Sequence, residues 1–398
     1  MITQCLCCSS EEIILIQKYP TSPLTDNYQD TSVQSLSLPF YPLNLYLCRL
    51  CGHLQLGHHV SAIQSYQDYK YNSSLTLGLN QSFIDYADEL KSYINNENNS
   101  EKLTLLDVGS NDGSFIAACR EKGIKAVGIE PSLNQVNLAN KNNRTTLQGY
   151  FDQTLTEKLR TSGLEETFTC ISFNNVFANL PSPYQSLLLA KSLISKDGVI
   201  VIQTGYHPIQ FTHSLFDYVY HEHYSYFSIS SLSTLAKSVG LQLSKYSLSS
   251  LRGGTLRAFF KSSKDSISQL KVYNERFCNE RELNGLYALI DSSRLYLQEF
   301  LNHAKQKNKK IIGYGASHST GILVHTLSLF KYLDYLVDDN KLKHGCYMPG
   351  TDLVVKPSDQ NINSCDVIVI LAWQYFDQIR HRLLSLGFQG EIIKPILP

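Results

Sequence analysis

Eleven consecutive positions, 216 to 226, hold two histidines, two acids and four tyrosines: Phe216-Asp-Tyr218-Val-Tyr220-His221-Glu222-His223-Tyr224-Ser-Tyr226. An imidazole titrates near ~6.5, close to working pH, and suits a general base. Phenols can hydrogen-bond a developing oxyanion. The stretch is therefore equipped for proton transfer. Two other readings stand beside this one. The aromatic rings could pack a domain interface while the charges face water. A metal could sit on His221-x-His223, but this is not the helical H-E-x-x-H pattern and no third ligand is evident. Sulfur supplies a second constellation. Cys5-Leu-Cys7-Cys8 and Cys48-Arg-Leu-Cys51-Gly52 give C-x2-C, 39 residues, then C-x2-C. Each pair is a knuckle offering two thiolates to one tetrahedral Zn2+, and four thiolates close a structural rather than a catalytic site. Cys7 could stand in for Cys8, though C-x-x-C geometry favours Cys5 and Cys8. His53, His58 and His59 lie close by, but Cys5, Cys8, Cys48 and Cys51 already complete the shell.

A third constellation needs a fold to hold it. Leu103 to Glu130 runs as an apolar stretch, the turn Asp107-Val-Gly109-Ser-Asn111-Asp112-Gly113, a helical pattern, a second apolar stretch and an acid. That is a β-turn-α-β unit with a ligand at its switch point. Gly109 and Gly113 let the backbone turn sharply and approach a bound group. Glu130, ending the second strand, can accept two hydrogen bonds from a ribose diol. The turn is not the dinucleotide G-x-G-x-x-G, so the expected ligand is another nucleoside cofactor.

The remaining elements follow from periodicity. Leu79, Phe83, Tyr86, Ala87 and Leu90 recur at helical spacing and predict a helix covering the cofactor strand. Strands are expected at 167–173, 199–203, 241–247 and 254–261, with helices at 182–195 and 229–239. The 216–226 stretch then follows the carboxyl end of a sheet strand, where α/β folds place their sites. Residues 263 to about 306 read as a helix-periodic connector into another α/β layer. That layer opens on Lys310-Ile-Ile-Gly313-Tyr-Gly315, with strands at 333–337, 366–371 and 391–393. Its glycines imitate a nicotinamide site, but Gly321 comes too late for the fingerprint. A site for part of a substrate, or plain scaffold, is expected instead. The fold class is α/β in three regions: a zinc-binding region at 1–65, a Rossmann-like region at 66–262 and a second Rossmann-like region at 263–398.

Lys+Arg and Asp+Glu both number 35, which gives no basic bias toward nucleic acid or an anionic membrane. No apolar run approaches the ~20 residues needed to span a bilayer. No signal peptide is visible at Met1-Ile2-Thr3-Gln4. Two C-x-x-C pairs among ten cysteines suit a reducing cytosol, so a cytoplasmic location is expected. The sequence leaves the oligomeric state open.

The turn resembles the first motif of class I S-adenosylmethionine-dependent methyltransferases, with Asn111 in place of the middle glycine. The whole chain resembles the sugar C-methyltransferases that act on nucleotide-linked 4-keto-deoxysugars. Asp107 to Ser114, Tyr220-His-Glu-His223 with Tyr226-Phe-Ser228, Gly253-Gly-Thr-Leu-Arg257, Gly313-Tyr-Gly-Ala316, Val337-Asp-Asp-Asn340, Pro349-Gly-Thr351 and Leu371-Ala-Trp373 carry the likeness. The resemblance implies S-adenosylmethionine held by Asp107, Gly109, Asn111, Asp112, Gly113, Glu130 and Asn175. It implies a nucleotide 4-keto-sugar substrate whose acidic C3 proton is removed before carbon attacks the methyl group. His223 would be the base, Glu222 would orient or polarise the site, and Tyr220 and Tyr71 would reach the sugar or its oxyanion. Relatives often carry Asn-Val-hydrophobic-Ala-His after the central strand. Here Asn175-Val-Phe-Ala-Asn179 ends in an amide that cannot exchange a proton, so any proton-transfer role at position 179 is absent or reassigned. His221 and Tyr224 are the spare candidates.

Overall fold

The computed structural model describes residues 2–61, 79–97, 103–162, 168–262, 275–276 and 278–396. Its strands are β1 (Ile13–Ser22), β2 (Tyr41–Cys48), β3 (Leu54–Leu56), β4 (Thr104–Val108), β5 (Lys125–Glu130), β6 (Thr146–Gln148), β7 (Phe168–Asn174), β8 (Ile194–Gly205), β9 (Ser225–Tyr226), β10 (Leu241–Ser249), β11 (Thr255–Ser262), β12 (Ile311–Tyr314), β13 (Tyr335–Asp338), β14 (Val355–Pro357), β15 (Val367–Ile370) and β16 (Glu391–Ile393). They form three sheets.

The central sheet has seven strands in the order β10-β11-β8-β7-β4-β5-β6. β4, β5, β6, β7 and β8 are parallel, and β11 runs antiparallel between β8 and β10. Buried apolar runs such as Val199-Ile-Val-Ile202 belong to strands covered on both faces. Helix Leu79–Glu97 covers this sheet as its periodicity predicts. Tyr86 stacks on Phe115 at 4.5 Å, and its hydroxyl shares a 3.0 Å hydrogen bond with Ser172.

The carboxyl-terminal sheet is wholly parallel, β14-β13-β12-β15-β16. Its glycines have packing reasons. A Cβ on Gly321 would lie 2.7 Å from Thr25 of the amino-terminal region, so this glycine permits a close approach between regions. Both oxygens of Asp338 accept backbone N–H groups, from Ala316 at 2.6 Å and Asn340 at 2.7 Å. The acid thus braces its own loop.

In the amino-terminal region, the residues between the two cysteine pairs form β1 and β2, with a short helix Ser32–Leu36 between them. β1, β2 and β3 make an antiparallel sheet, and its fourth strand is β9, from within the 216–226 stretch. Leu54 pairs with Tyr226, and Gln55 with Ser225. The sheet also packs on the third region, sharing a core with helix Glu280–Gln306. Tyr19 and Tyr287 share a 2.6 Å hydrogen bond there. The sequence boundaries near 65 and 262 fall at or beside stretches outside the described residues.

Candidate active site

Two loops at the carboxyl edge of the central sheet build the cofactor side. The β4 turn is coiled by three residues with positive φ: Gly109 (69°), Asn111 (49°) and Gly113 (72°). Asparagine tolerates this conformation better than other side-chain-bearing residues, so Asn111 substitutes for the absent glycine. A Cβ on Gly109 would lie 2.7 Å from Val176, and one on Gly113 2.7 Å from Arg144. Ser114 donates its N–H to Asp112 Oδ1 at 3.1 Å, starting helix Ser114–Glu121.

Glu130 ties the turn to β5. Its Oε2 accepts the Asn111 N–H at 3.0 Å, and Oε1 accepts the Ser132 N–H at 2.9 Å. Burial raises its pKa, and the two N–H donors pull it the other way. Each oxygen keeps a further lone pair. Asp107, at the end of β4, is 2% exposed, and its Oδ1 has no hydrogen-bond partner among the described residues. Burial raises its pKa well above the carboxylate range, a push that the neighbouring Ser172 opposes. Asn175, also at positive φ (57°), opens the loop after β7. Unused acceptors on Asp107 and Glu130 beside a tightly coiled turn fit a ligand bringing hydroxyls and an ammonium group, as S-adenosylmethionine does. Glu130→Ala should weaken cofactor binding by roughly 1–3 kcal/mol, the cost of leaving buried hydroxyls unpaired. Calorimetry showing unchanged affinity would remove Glu130 from the site.

The other side of the candidate site is the 220–226 loop. His223 Nε2 lies 2.9 Å from the Tyr220 hydroxyl, with ring centroids 4.1 Å apart. A phenol can donate to neutral imidazole, or an imidazolium N–H can donate to the phenol oxygen, so this pair accommodates either protonation state. Tyr226 holds the loop from below: its hydroxyl accepts the Tyr220 N–H at 3.1 Å. Tyr224 donates its N–H to Ala178 O at 2.8 Å, joining the loop to the 3₁₀ turn Phe177–Asn179. Asn179 thus borders the loop from the turn after β7.

Glu222 is 7% exposed, and its Oε2 meets His318 Nε2 at 3.1 Å. Burial alone would raise its pKa, but the facing His318 outweighs that and holds it at about 2. Such a carboxylate is a weak base at neutral pH. His221 and Tyr224 turn the other way, toward the amino-terminal region. His221 is fully buried and donates from Nε2 to Tyr41 O at 3.3 Å, with burial lowering its pKa. Tyr224 donates to Val60 O and stacks on His59 at 4.0 Å. The structure therefore brings Tyr220, Glu222 and His223 together. Tyr71 lies outside the described residues. His318 was missed from sequence as a site residue.

The four-sulfur cluster forms as the spacing implies. Cys5, Cys8, Cys48 and Cys51 place their sulfurs within 4.8 Å of one another. Cys5–Cys51 is 3.6 Å and Cys8–Cys48 is 3.5 Å, close to the ~3.8 Å edge of a tetrahedron with Zn–S near 2.3 Å. Cys7 is outside the group. Gly52, at φ 69°, donates its N–H to Cys48 O and closes the second knuckle. His53 is directed elsewhere, with Nε2 3.2 Å from Ser225 Oγ.

Sheet order, coiled turn and strand-end acid define a class I methyltransferase fold. A family model described as a methyltransferase domain matches residues 81–246, and one described as a C-methyltransferase C-terminal domain matches residues 250–396. C-methyltransferase NovU of Streptomyces niveus is 23% identical, over 99% of this chain and 96% of that protein. These matches support C-methyltransferase activity, methyl transfer to carbon, for this chain. Among solved structures, the plantazolicin methyltransferase BpumL in complex with SAH is 14% identical over 46% of this chain and 86% of that one, with a TM-score of 0.38. Magnesium protoporphyrin IX methyltransferase of Synechocystis PCC 6803 with bound SAH is 12% identical over 45% and 83%, with a TM-score of 0.36.

Proposed function

We propose that this protein methylates C3 of a nucleotide-linked 4-keto-deoxysugar through an enolate, with Zn2+ as a structural ion. The observation carrying the proposal is the Tyr220–His223 pair, 2.9 Å apart beside a carboxylate that is itself too acidic to serve as base. A keto group at C4 acidifies the C3 hydrogen. The His223 imidazole takes that proton, while the Tyr220 hydroxyl holds the ring. S-adenosylmethionine, when bound, supplies an electrophilic methyl group to the resulting carbon nucleophile. Asp107, Gly109, Asn111, Asp112, Gly113, Glu130 and Asn175 hold the cofactor. Tyr71 is assigned to the sugar by resemblance alone.

The test is a panel of nucleotide 4-keto-hexoses with the methyl position read by NMR. A new C–CH3 at C3 is expected. A methyl on oxygen would replace the proposal with sugar O-methylation, which needs no carbon base. Cofactor binding without turnover on any keto-sugar would favour a non-catalytic nucleoside-binding adaptor.

A further inference from the structure

The 216–226 loop is gripped from the third region at three points. Trp373 Nε1–H donates to Asp217 Oδ2 at 3.1 Å, and Tyr218 donates its hydroxyl to Gln374 at 2.8 Å. The third is His318, at the start of helix His318–Thr326. Its Nε2 meets Glu222 at 3.1 Å, and its ring lies 4.2 Å from that of Tyr220. Tyr220 in turn holds His223. One side chain from 96 residues along the chain therefore touches both neighbours of the base.

We propose that His318 is a positioning residue of the active site, gripping Glu222 and bearing on Tyr220 so that the third region sets the geometry of the Tyr220–His223 pair. This rests on the reading of His223 as the base. The charge arrangement agrees with it. Burial would lower the His318 pKa, but Glu222 reverses this and the net shift is upward. Asp26 adds to the upward push, while Lys343, itself paired with Asp26 at 2.8 Å, opposes it. A protonated His318 against an ionised Glu222 makes a charge-assisted bond, shorter and stronger than a neutral one. Ser317 and Thr320 close a capping box around the helix start, which fixes where His318 emerges. A site held this way depends on small displacements, since a misplacement of about 1 Å can slow a reaction about 10²-fold.

The experiment uses the full chain. His318→Ala and His318→Gln should lower kcat about 10–100-fold, with cofactor affinity within about twofold of wild type and KM for the keto-sugar little changed. The double variant His318→Ala/Glu222→Gln should be no slower than the slower single variant, because both changes break one contact. Multiplying effects would overturn the proposal, as would full kcat in His318→Gln. A second readout does not depend on turnover. In wild-type protein with labelled histidine, the His318 imidazole should titrate above its ordinary value by NMR, and Glu222→Gln should bring it down. An unmoved titration would overturn the pairing even if His318→Ala failed to fold. Should the wild type methylate oxygen, or reject every keto-sugar, the C3 reading fails while the imidazole titration still decides the pairing. Wild-type C3 methylation with full kcat in His318→Gln sinks only the positioning role.

Discussion

His223→Asn should transfer methyl about 10²–10⁴-fold more slowly than wild type, the usual consequence of removing a general base. Asparagine keeps approximate size and polarity and can still face Tyr220, but it cannot accept a proton at working pH. Cofactor affinity should persist, because the β4 turn and Glu130 are built by other residues. The discriminating assay uses heavy water and the demethylated cofactor product. Wild-type protein should wash deuterium into C3 of the keto-sugar, provided the abstracted proton exchanges with solvent, and His223→Asn should not. His221→Asn should retain most exchange, since His221 is buried against Tyr41 O on the far side of the loop. Undiminished methylation by His223→Asn would move the base elsewhere.

Removing the proposed Zn2+ should be almost as damaging, although four thiolates leave no open position for chemistry. Cys48→Ser, or chelation, should abolish stoichiometric zinc and also depress methyl transfer, with re-added Zn2+ restoring the chelated protein. Structural Zn2+ contributes on the order of 10–16 kcal/mol in small zinc-dependent folds. The route from metal to reaction is short. The Leu6 N–H beside the first knuckle donates to Gln55 Oε1 at 2.8 Å, and Gln55 Nε2 donates to Gln4 O at 2.9 Å. Gln55 lies in β3, which pairs with β9, two residues beyond His223. A closed four-thiolate site therefore supports one wall of the reacting loop. Carefully purified protein that contains no zinc yet turns over normally would refute this.

What the sequence disclosed was local. Two C-x-x-C pairs specify a four-thiolate cluster because each pair is one turn. The 103–130 unit is legible because strand, glycine turn, helix and acid follow without interruption. The 79–97 helix shows its buried face every three or four residues. What stayed hidden depends on partners far apart in the chain. β9 has only two residues, too few for any periodicity, and its partner is β3. Gly321 comes too late for a dinucleotide fingerprint, and the residue packed against it, Thr25, lies in the distant amino-terminal region. His318 stood inside a motif already noted for its glycines. Only the fold shows that it meets Glu222, since no local spacing couples residues from different regions.

The pairing of β3 with β9 also bears on how the chain is made. Synthesis delivers the cysteine knuckles and β1 to β3 first, but the strand that completes their sheet emerges about 170 residues later. At roughly 5–20 residues per second, the β3 edge waits on the order of 10–30 s on the ribosome. Unpaired strand edges invite wrong partners, and Leu54 and Leu56, both fully buried in the finished protein, lie on this one. Contacts of such long sequence separation also form slowly. Early zinc capture would keep the waiting sheet in register, and the reacting loop would gain its final shape only when β9 docks. The newborn enzyme would thus be inactive until its amino-terminal sheet closes.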